Sequence, residues 1–302
     1  MFGAIEAGGT KFVCAVGSDP ADLQITQLPT TSPQVTVAQA IEFLRASSGG
    51  RLEAVGIGSF GPVDLSLSSP TFGHITSTPK PGWQNFDFVG AVRATLDMPI
   101  GFDTDVNAAA LGEARWGAAQ SISDFVYLTV GTGIGGGVIV NGRLLHGLVH
   151  PEMGHIPIPH DLRRDPYSGC CPFHGDCLEG LASGPAMQER WGSPAQELAM
   201  DHPAWALEAH YLALGLANWV CTLSPKRIVL GGGVMQKQWL FALIRSELVR
   251  ILNGYVQSTE LTENLDQYVV PAKLGNRAGI AGALALAQQA YQERQNQSAS
   301  TG

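Results

Sequence analysis

The chain has 302 residues, of which 45% are hydrophobic and 15% charged. This length favours two domains, and the apolar content is sufficient for a sizeable core, which excludes a globally disordered chain. The 26 acidic side chains outnumber the 18 basic ones, and no local cluster of Lys and Arg supplies a basic face. We therefore expect no binding of nucleic acid.

The N-terminal segment lacks the features of an export signal, because it has no basic residues and Glu6 interrupts its apolar run. The longest apolar segment, Trp205 to Leu223, contains Glu208, His210 and Asn218. It is therefore predicted to be a buried helix rather than a membrane span. The five cysteines are odd in number, which argues against a disulfide framework. The sequence predicts a cytoplasmic protein without membrane contact.

Apolar runs and turn residues predict alternating strands and helices. Strands are predicted at residues 2–5, 12–16, 54–57, 100–102, 125–130, 138–140 and 227–230. Helices are predicted at residues 37–48, 106–117, 205–223 and 278–292, with a further helix ending at 252. Glycine-rich turns join the first two strands and, about 120 residues later, the fifth and sixth. This pattern indicates two related α/β halves.

The glycine turns are candidate phosphate-binding loops. Gly131–Gly136 matches G-x-G-x-x-G, but a strand follows it rather than a helix, which excludes the dinucleotide fingerprint. The absence of any Gly-Lys dipeptide excludes a Walker A loop. A glycine turn between strands can still direct several N–H groups at an anion, with Thr10 and Thr132 as hydroxyl donors. The alternative is that these turns are tight hairpins that bind no ligand. A third glycine loop at Gly231–Gly233 makes this alternative less favoured.

Five segments resemble the ROK family of kinases and repressors, within the actin, hexokinase and Hsp70 superfamily. In chain order they are Ile5–Lys11, Ser77–Trp83, Thr104–Glu113, Glu152–His155 and Cys171–Gly180. The resemblance covers residues 2–287 and is strongest to bacterial ROK fructokinases. It implies an α/β fold of two actin-like ATPase (ribonuclease H-like) domains with a cleft between them.

The domains implied are a smaller one at residues 1–117 and a larger one at residues 118–302. The smaller domain would hold the first phosphate loop and the sugar lid. The larger would bind the nucleotide and contain a zinc loop at 155–177. The C-terminal helix, residues 278–295, would be able to dock back on the smaller domain.

By this resemblance, Asp105 is the general base that accepts the proton of a sugar hydroxyl. It follows a predicted strand, at the end where open α/β sheets bind ligands. A helix cap is its alternative role. Asp103 would point to the opposite face of the strand and is therefore left outside the predicted site.

The resemblance assigns the glycine loops to ATP. The implied ATP-binding residues are Gly8, Gly9, Thr10, Lys11, Thr132, Gly133, Gly231, Gly232, Gly233 and Gly275. Glu6 stands where the family has an Asp that holds Mg²⁺, and a salt bridge to Lys11 is its alternative role.

The implied sugar-binding residues are Gly61, Pro62, Asn107, Glu152, His155 and Glu179. Carboxylates and amides are natural partners for sugar hydroxyls, and a site that pairs them rejects analogues strongly. Trp83 is expected either to stack on the sugar or to pack in the core.

A structural zinc site is predicted around the Cys171–Gly180 segment. Its ligands would be two thiols and two imidazoles, from His155, Cys171, His174 and Cys177. Four such ligands form a closed tetrahedral Zn²⁺ site. Cys170 cannot easily share one ion with its neighbour, and Cys171 stands where the fructokinase pattern has its cysteine.

The function implied is an ATP-dependent fructokinase that uses Mg²⁺ and forms a homodimer. The alternatives are a glucokinase, mannokinase or N-acetyl-sugar kinase of the same family, or a non-catalytic sugar-sensing protein. Repressors of the family carry a winged helix-turn-helix before the kinase-like part, and a first strand at residue 2 leaves no room for one.

Overall fold

The computed structural model describes residues 1–300 as a mixed α/β protein. Its strands are β1 Phe2–Ala7, β2 Lys11–Gly17, β3 Gln24–Pro29, β4 Ala54–Ser59, β5 His74–Ile75, β6 Phe86–Asp87, β7 Ile100–Thr104, β8 Phe125–Val130, β9 Ile134–Val140, β10 Arg143–Leu144, β11 Arg227–Gly231 and β12 Val269–Pro271. Its helices are α1 Pro33–Ser48, α2 Phe88–Arg93, α3 Asp105–Trp116, α4 Leu178–Ala182, α5 Gly184–Trp191, α6 Ala204–Leu223, α7 Leu240–Leu252, α8 Thr259–Thr262, α9 Leu265–Tyr268 and α10 Ala278–Ser300. Residues 301 and 302, the end of the predicted larger domain, lie outside the described residues.

The chain divides into two compact units. The first comprises Met1–Gln120, Leu144–Pro151 and the residues from Arg277 onward, and the second comprises Ser121–Arg143 and Glu152–Asn276. Helix α10 thus belongs to the first unit. Residues 144–151 also belong to the first unit. The sequence analysis placed them in the larger domain, because their composition does not mark a change of unit.

The two units contain five-stranded sheets of the same topology. The strand order is β3-β2-β1-β4-β7 in the first sheet and β10-β9-β8-β11-β12 in the second. In each, an antiparallel hairpin is followed by two strands that run parallel to its first strand. This repetition confirms the two related α/β halves.

Helix α10 approaches the first sheet at backbone distance. A Cβ atom on Gly56 of β4 would lie 1.8 Å from the carbonyl oxygen of Ala283. A Cβ on Gly282 of α10 would lie 1.5 Å from the carbonyl oxygen of Ala108 in α3. Both positions require glycine because any side chain would separate α10 from the strand and the helix beneath it.

The other face of this sheet packs on an aromatic core that includes Trp83. Trp83 is fully buried, lies against Phe12 and Phe88, and donates its Nε1–H to the Thr31 carbonyl at 2.8 Å. Of its two predicted roles, packing in the core is therefore the one it has.

Helix α6 is the long apolar segment, and it is buried as predicted. Among residues 1–300, no helix combines the length and apolar character needed to cross a membrane. Glu208 is 1% exposed, and neither of its carboxylate oxygens has a hydrogen-bond partner among these residues. Burial raises the pKa of Glu208 well above its ordinary value, and the charge of Arg190 offsets this only in part.

We expect Glu208→Gln to be more stable than the wild type at neutral pH. The folded protein keeps the proton on Glu208, whereas the unfolded chain releases it above a pKa of 4.5. The free energy of unfolding therefore falls by about 1.4 kcal/mol per pH unit above that value, until the folded pKa is reached. Gln has nearly the same shape and stays neutral, so its advantage should grow as the pH rises above about 5. Urea unfolding of both proteins measures this, and identical pH dependences would contradict it.

Candidate active site

The carboxyl ends of three parallel strands meet at one edge of the first sheet. The pairing of β1, β4 and β7 aligns Glu6 with Asp103, with Gly58 between them. After β1 comes the turn at Gly8 to Thr10 with Lys11 at the start of β2, after β4 the loop with Gly61-Pro62, and directly after β7 comes Asp105 at the start of α3. This edge, where open α/β sheets bind ligands, thus brings together three segments that the sequence predicted for the site.

Glu6 is a largely buried carboxylate close to Asp105. Burial and the negative charge of Asp105 raise the pKa of Glu6 to about 7, although the Lys11 ammonium group acts in the opposite direction. One carboxylate oxygen, Oε2, is buried and has no hydrogen-bond partner among the described residues. An orphaned oxygen beside a second carboxylate suits a hard divalent cation such as Mg²⁺, so these residues fit the predicted metal.

Asp105 is the first residue of α3, and Thr104 before it caps the helix. The Thr104 hydroxyl oxygen accepts the N–H of Asn107 at 3.1 Å. The Oδ1 atom of Asp105 accepts the N–H of Val106 at 2.9 Å. Since Thr104 takes the capping role that the sequence left open for Asp105, capping does not account for the aspartate.

Asp103, which the sequence analysis left outside the predicted site, is bonded to the first turn of α3. Its side chain is 5% exposed, and its Oδ1 accepts the N–H of Thr104 at 2.8 Å and the amide of Asn107 at 2.7 Å. Its Oδ2 accepts the Nε2–H of His146 at 2.8 Å. The sequence did not predict these bonds, because α3 begins directly after β7 and turns Asn107 back toward Asp103, while His146 lies 43 residues away in sequence.

Asn107 is 1% exposed and donates an amide N–H to Oδ1 of Asp103 at 2.7 Å. Its amide oxygen is buried and has no hydrogen-bond partner among the described residues. Asn107 thus supports the Asp103 carboxylate, and its predicted contact with a sugar stays a prediction.

The second sheet repeats the arrangement with different side chains. Strands β8, β11 and β12 are parallel, and the register aligns Leu128 with Leu230. Gly131 to Gly133 follow β8, Gly231 ends β11 with Gly232 and Gly233 after it, and Gly275 follows β12. All the residues predicted for ATP in this unit therefore follow strand ends at the same edge.

Glu179 connects the first of these loops with His155. Its Oε2 accepts the N–H of Ile134 at 2.9 Å, and its Oε1 lies 3.8 Å from Nε2 of His155. A Cβ on Gly133 would lie 2.6 Å from Oε2 of Glu179, so the loop approaches the carboxylate closely. Glu152 is exposed and directly precedes the short helical turn Met153–His155. Three of the predicted sugar-binding residues, Glu152, His155 and Glu179, thus belong to the second unit, where Glu179 lies beside His155.

Four metal-ligating side chains converge beside Glu179. The cluster consists of His155, Cys171, His174 and Cys177, whose ligand atoms all lie within 4.8 Å of one another. Nδ1 of His155 is 3.6 Å from Sγ of Cys171 and 3.7 Å from Sγ of Cys177. Ligands of a tetrahedral Zn²⁺ ion are separated by about 3.6 Å, so the spacing and the donor atoms fit zinc. Cys170 lies elsewhere, with its Sγ 3.8 Å from the Ser183 hydroxyl.

The chain belongs to the ROK family, which it matches over residues 2–290. It is 50% identical to a relative from Bacillus subtilis over 97% of both chains. It is 42% identical to a fructokinase of Pediococcus pentosaceus, over 96% of this chain and 98% of that one. The crystal structure of a ROK hexokinase from Thermus thermophilus superposes with a TM-score of 0.77 at 30% identity, covering 97% of this chain and 99% of the other. These similarities confirm the predicted fold class of two actin-like ATPase domains.

Proposed function

We propose that the protein is an ATP-dependent fructokinase, which transfers the γ-phosphoryl group of ATP to fructose and forms fructose 6-phosphate. The similarity to a fructokinase over nearly the whole chain supports the substrate. The observation that carries the proposal is the Asp105 carboxylate at the start of α3, close to Glu6 at the carboxyl edge of the first sheet. A sugar kinase needs a carboxylate so placed to accept the proton of the attacking hydroxyl.

In this reaction Asp105 holds the sugar hydroxyl in position and takes up its proton as the bond to phosphorus forms. The N-terminus of α3 favours negative charge at this position. A strong base is unnecessary, because phosphoryl transfer depends mainly on positioning and on stabilisation of charge. Thr104 and Asn107 serve this step indirectly, by fixing the first turn of the helix.

The glycine loops bind ATP in this proposal. Backbone N–H groups of the loops at Gly8 to Lys11 and Gly131 to Gly133 would cradle phosphates, and the loops at Gly231 to Gly233 and Gly275 would lie near the adenosine. Sugar kinases of this family use ATP with Mg²⁺. Glu6 would hold the ion, which neutralises charge on the phosphates.

The sugar is bound by Gly61, Pro62, Glu152, His155 and Glu179 in this proposal. If zinc binds His155 through Nδ1, the ring is fixed and its Nε2 is directed toward Glu179, as second-shell carboxylates commonly direct zinc-bound histidines. The zinc site would be closed and structural. A homodimer and a cytoplasmic location remain predictions.

Asp105→Asn should lower kcat by about 100-fold or more, because the amide cannot accept the hydroxyl proton. ATP should still raise the melting temperature of the variant as it does that of the wild type. ADP release with fructose measures the rate, and Asp97→Asn, at an exposed acid of the same unit, is the matched control. A loss of less than about fivefold would show that Asp105 is not the base.

The wild-type kcat/KM for fructose should exceed that for glucose by at least about tenfold, which corresponds to about 1.4 kcal/mol of discrimination. Coupled ADP release with fructose, glucose, mannose and N-acetyl-sugars measures this ratio. Equal values, or a preference for another hexose, would leave a hexose kinase but remove the assignment to fructose.

Purified protein should contain one equivalent of zinc per chain. Cys177→Ser should lose the metal, melt at a lower temperature and raise the KM for the sugar more than that for ATP, since the cluster adjoins Glu179. Cys221→Ser, at an exposed cysteine outside the cluster, is the control. Metal-free protein with full activity and an unchanged melting temperature would refute the zinc site.

A further inference from the structure

Residues 144–151 form part of the first unit, although the residues on either side belong to the second. Two histidines attach this 144–151 segment. His146 is bonded to Asp103, and His150 accepts the backbone N–H of Val63 at 3.1 Å. The segment is therefore bonded both to the strand end before Asp105 and to the loop that contains Gly61-Pro62.

The two histidines differ in exposure. His150 is 7% exposed, and a Cβ on Gly61 would lie 3.4 Å from its Cε1, so His150 is packed against this loop. The side chain of His146 is 44% exposed. Its hydrogen bond to Asp103 raises the pKa of His146. Within residues 1–300 no hydrogen bond is found for its other ring nitrogen, Nδ1.

A buried carboxylate fixes the orientation of an imidazole by accepting a hydrogen bond from one of its nitrogens. Asp103 does this for His146 at 2.8 Å, and its other oxygen is bonded to the first turn of α3. Nδ1 thus belongs to a partly exposed ring whose orientation is set by the carboxylate that also binds the first turn of α3. A nitrogen held in this way can accept a hydrogen bond from a hydroxyl when the ring is neutral, or donate one when it is protonated.

We infer that His146 binds the sugar substrate, with Nδ1 paired to a hydroxyl of the hexose that Asp105 activates, and that Asp103 is the positioning residue for His146. The inference rests on the proposed sugar kinase function. It adds a polar contact that none of the sequence motifs contains. A site built to pair a hydroxyl discriminates against sugars that place that hydroxyl differently.

Two amide substitutions at His146 test the roles of its two ring nitrogens one at a time. In His146→Gln the amide nitrogen lies near the position of Nε2, so the bond to Asp103 is kept and the Nδ1 contact is lost. In His146→Asn the amide nitrogen lies near the position of Nδ1 but does not reach Asp103. His210→Gln is the control, because His210 also faces a carboxylate, Glu247 at 3.2 Å, and the two lie on α6 and α7 of the second unit, outside the residues proposed for the site.

We expect His146→Gln to raise the KM for fructose by about tenfold, with the KM for ATP and the melting temperature unchanged. Asp103→Asn should raise the fructose KM as well. The double variant should be no worse than the poorer single variant, since both changes affect one contact. His146→Asn should also raise the fructose KM, because its amide is no longer held in place. His210→Gln should behave as the wild type does.

A fructose KM within twofold of the wild-type value in His146→Gln would overturn the inference. Equal losses toward fructose and ATP, together with a lower melting temperature, would also overturn it, because they indicate a purely structural role. If another hexose is the best substrate, the same comparison is made with that sugar. If the wild type phosphorylates no hexose, the proposed function fails. The inference about His146 is then tested separately, by the rise in melting temperature that fructose causes. A rise in the wild type that is lost in His146→Gln supports the contact, and any other result refutes it.

Discussion

The register of the parallel strands is the constraint on which the candidate site depends. Backbone hydrogen bonds align β1, β4 and β7 residue by residue, so their following loops emerge at one edge of the sheet. Helix α10 covers this sheet at positions where only glycine fits, such as Gly56 and Gly282. A side chain at either position would displace the helix, and with it the packing of α3 that carries Asp105. The site therefore depends on residues that have no chemistry of their own.

The two units present different side chains on one topology. The carboxyl edge of the first sheet has the carboxylates Glu6 and Asp103, with Asp105 directly after β7. In the second sheet, the segments after β8 and at the end of β11 are rich in glycine, at Gly131 to Gly133 and Gly231 to Gly233, and backbone N–H groups there suit anionic oxygens. The strand connections are the same in both units, so the difference comes from the residues at the strand ends.

The sequence could predict features that short motifs encode. These are the strand–glycine–strand hairpins, Asp105 at the start of a helix, and the metal cluster, whose four ligands come from two motifs. The bond between Asp103 and His146 joins residues 43 positions apart, and neither residue belongs to a pattern. The return of residues 144–151 to the first unit is likewise a property of tertiary packing. Asn107 was found by its motif, but its bond to Asp103 was not predicted, because spacing alone does not show whether an amide faces solvent or a buried carboxylate.

Two buried acids show how local donors decide what a carboxylate does. Asp103 and Glu208 are both almost without exposed surface. Asp103 accepts hydrogen bonds from Thr104, Asn107 and His146, and such bonds to a carboxylate are about twice as strong as neutral ones. Glu208 has no such donor among the described residues, and burial raises its pKa. Burial alone therefore does not identify a functional acid. The convergence of donors from a strand end, a helix turn and the 144–151 segment distinguishes Asp103 from Glu208 and supports the positioning role proposed for Asp103.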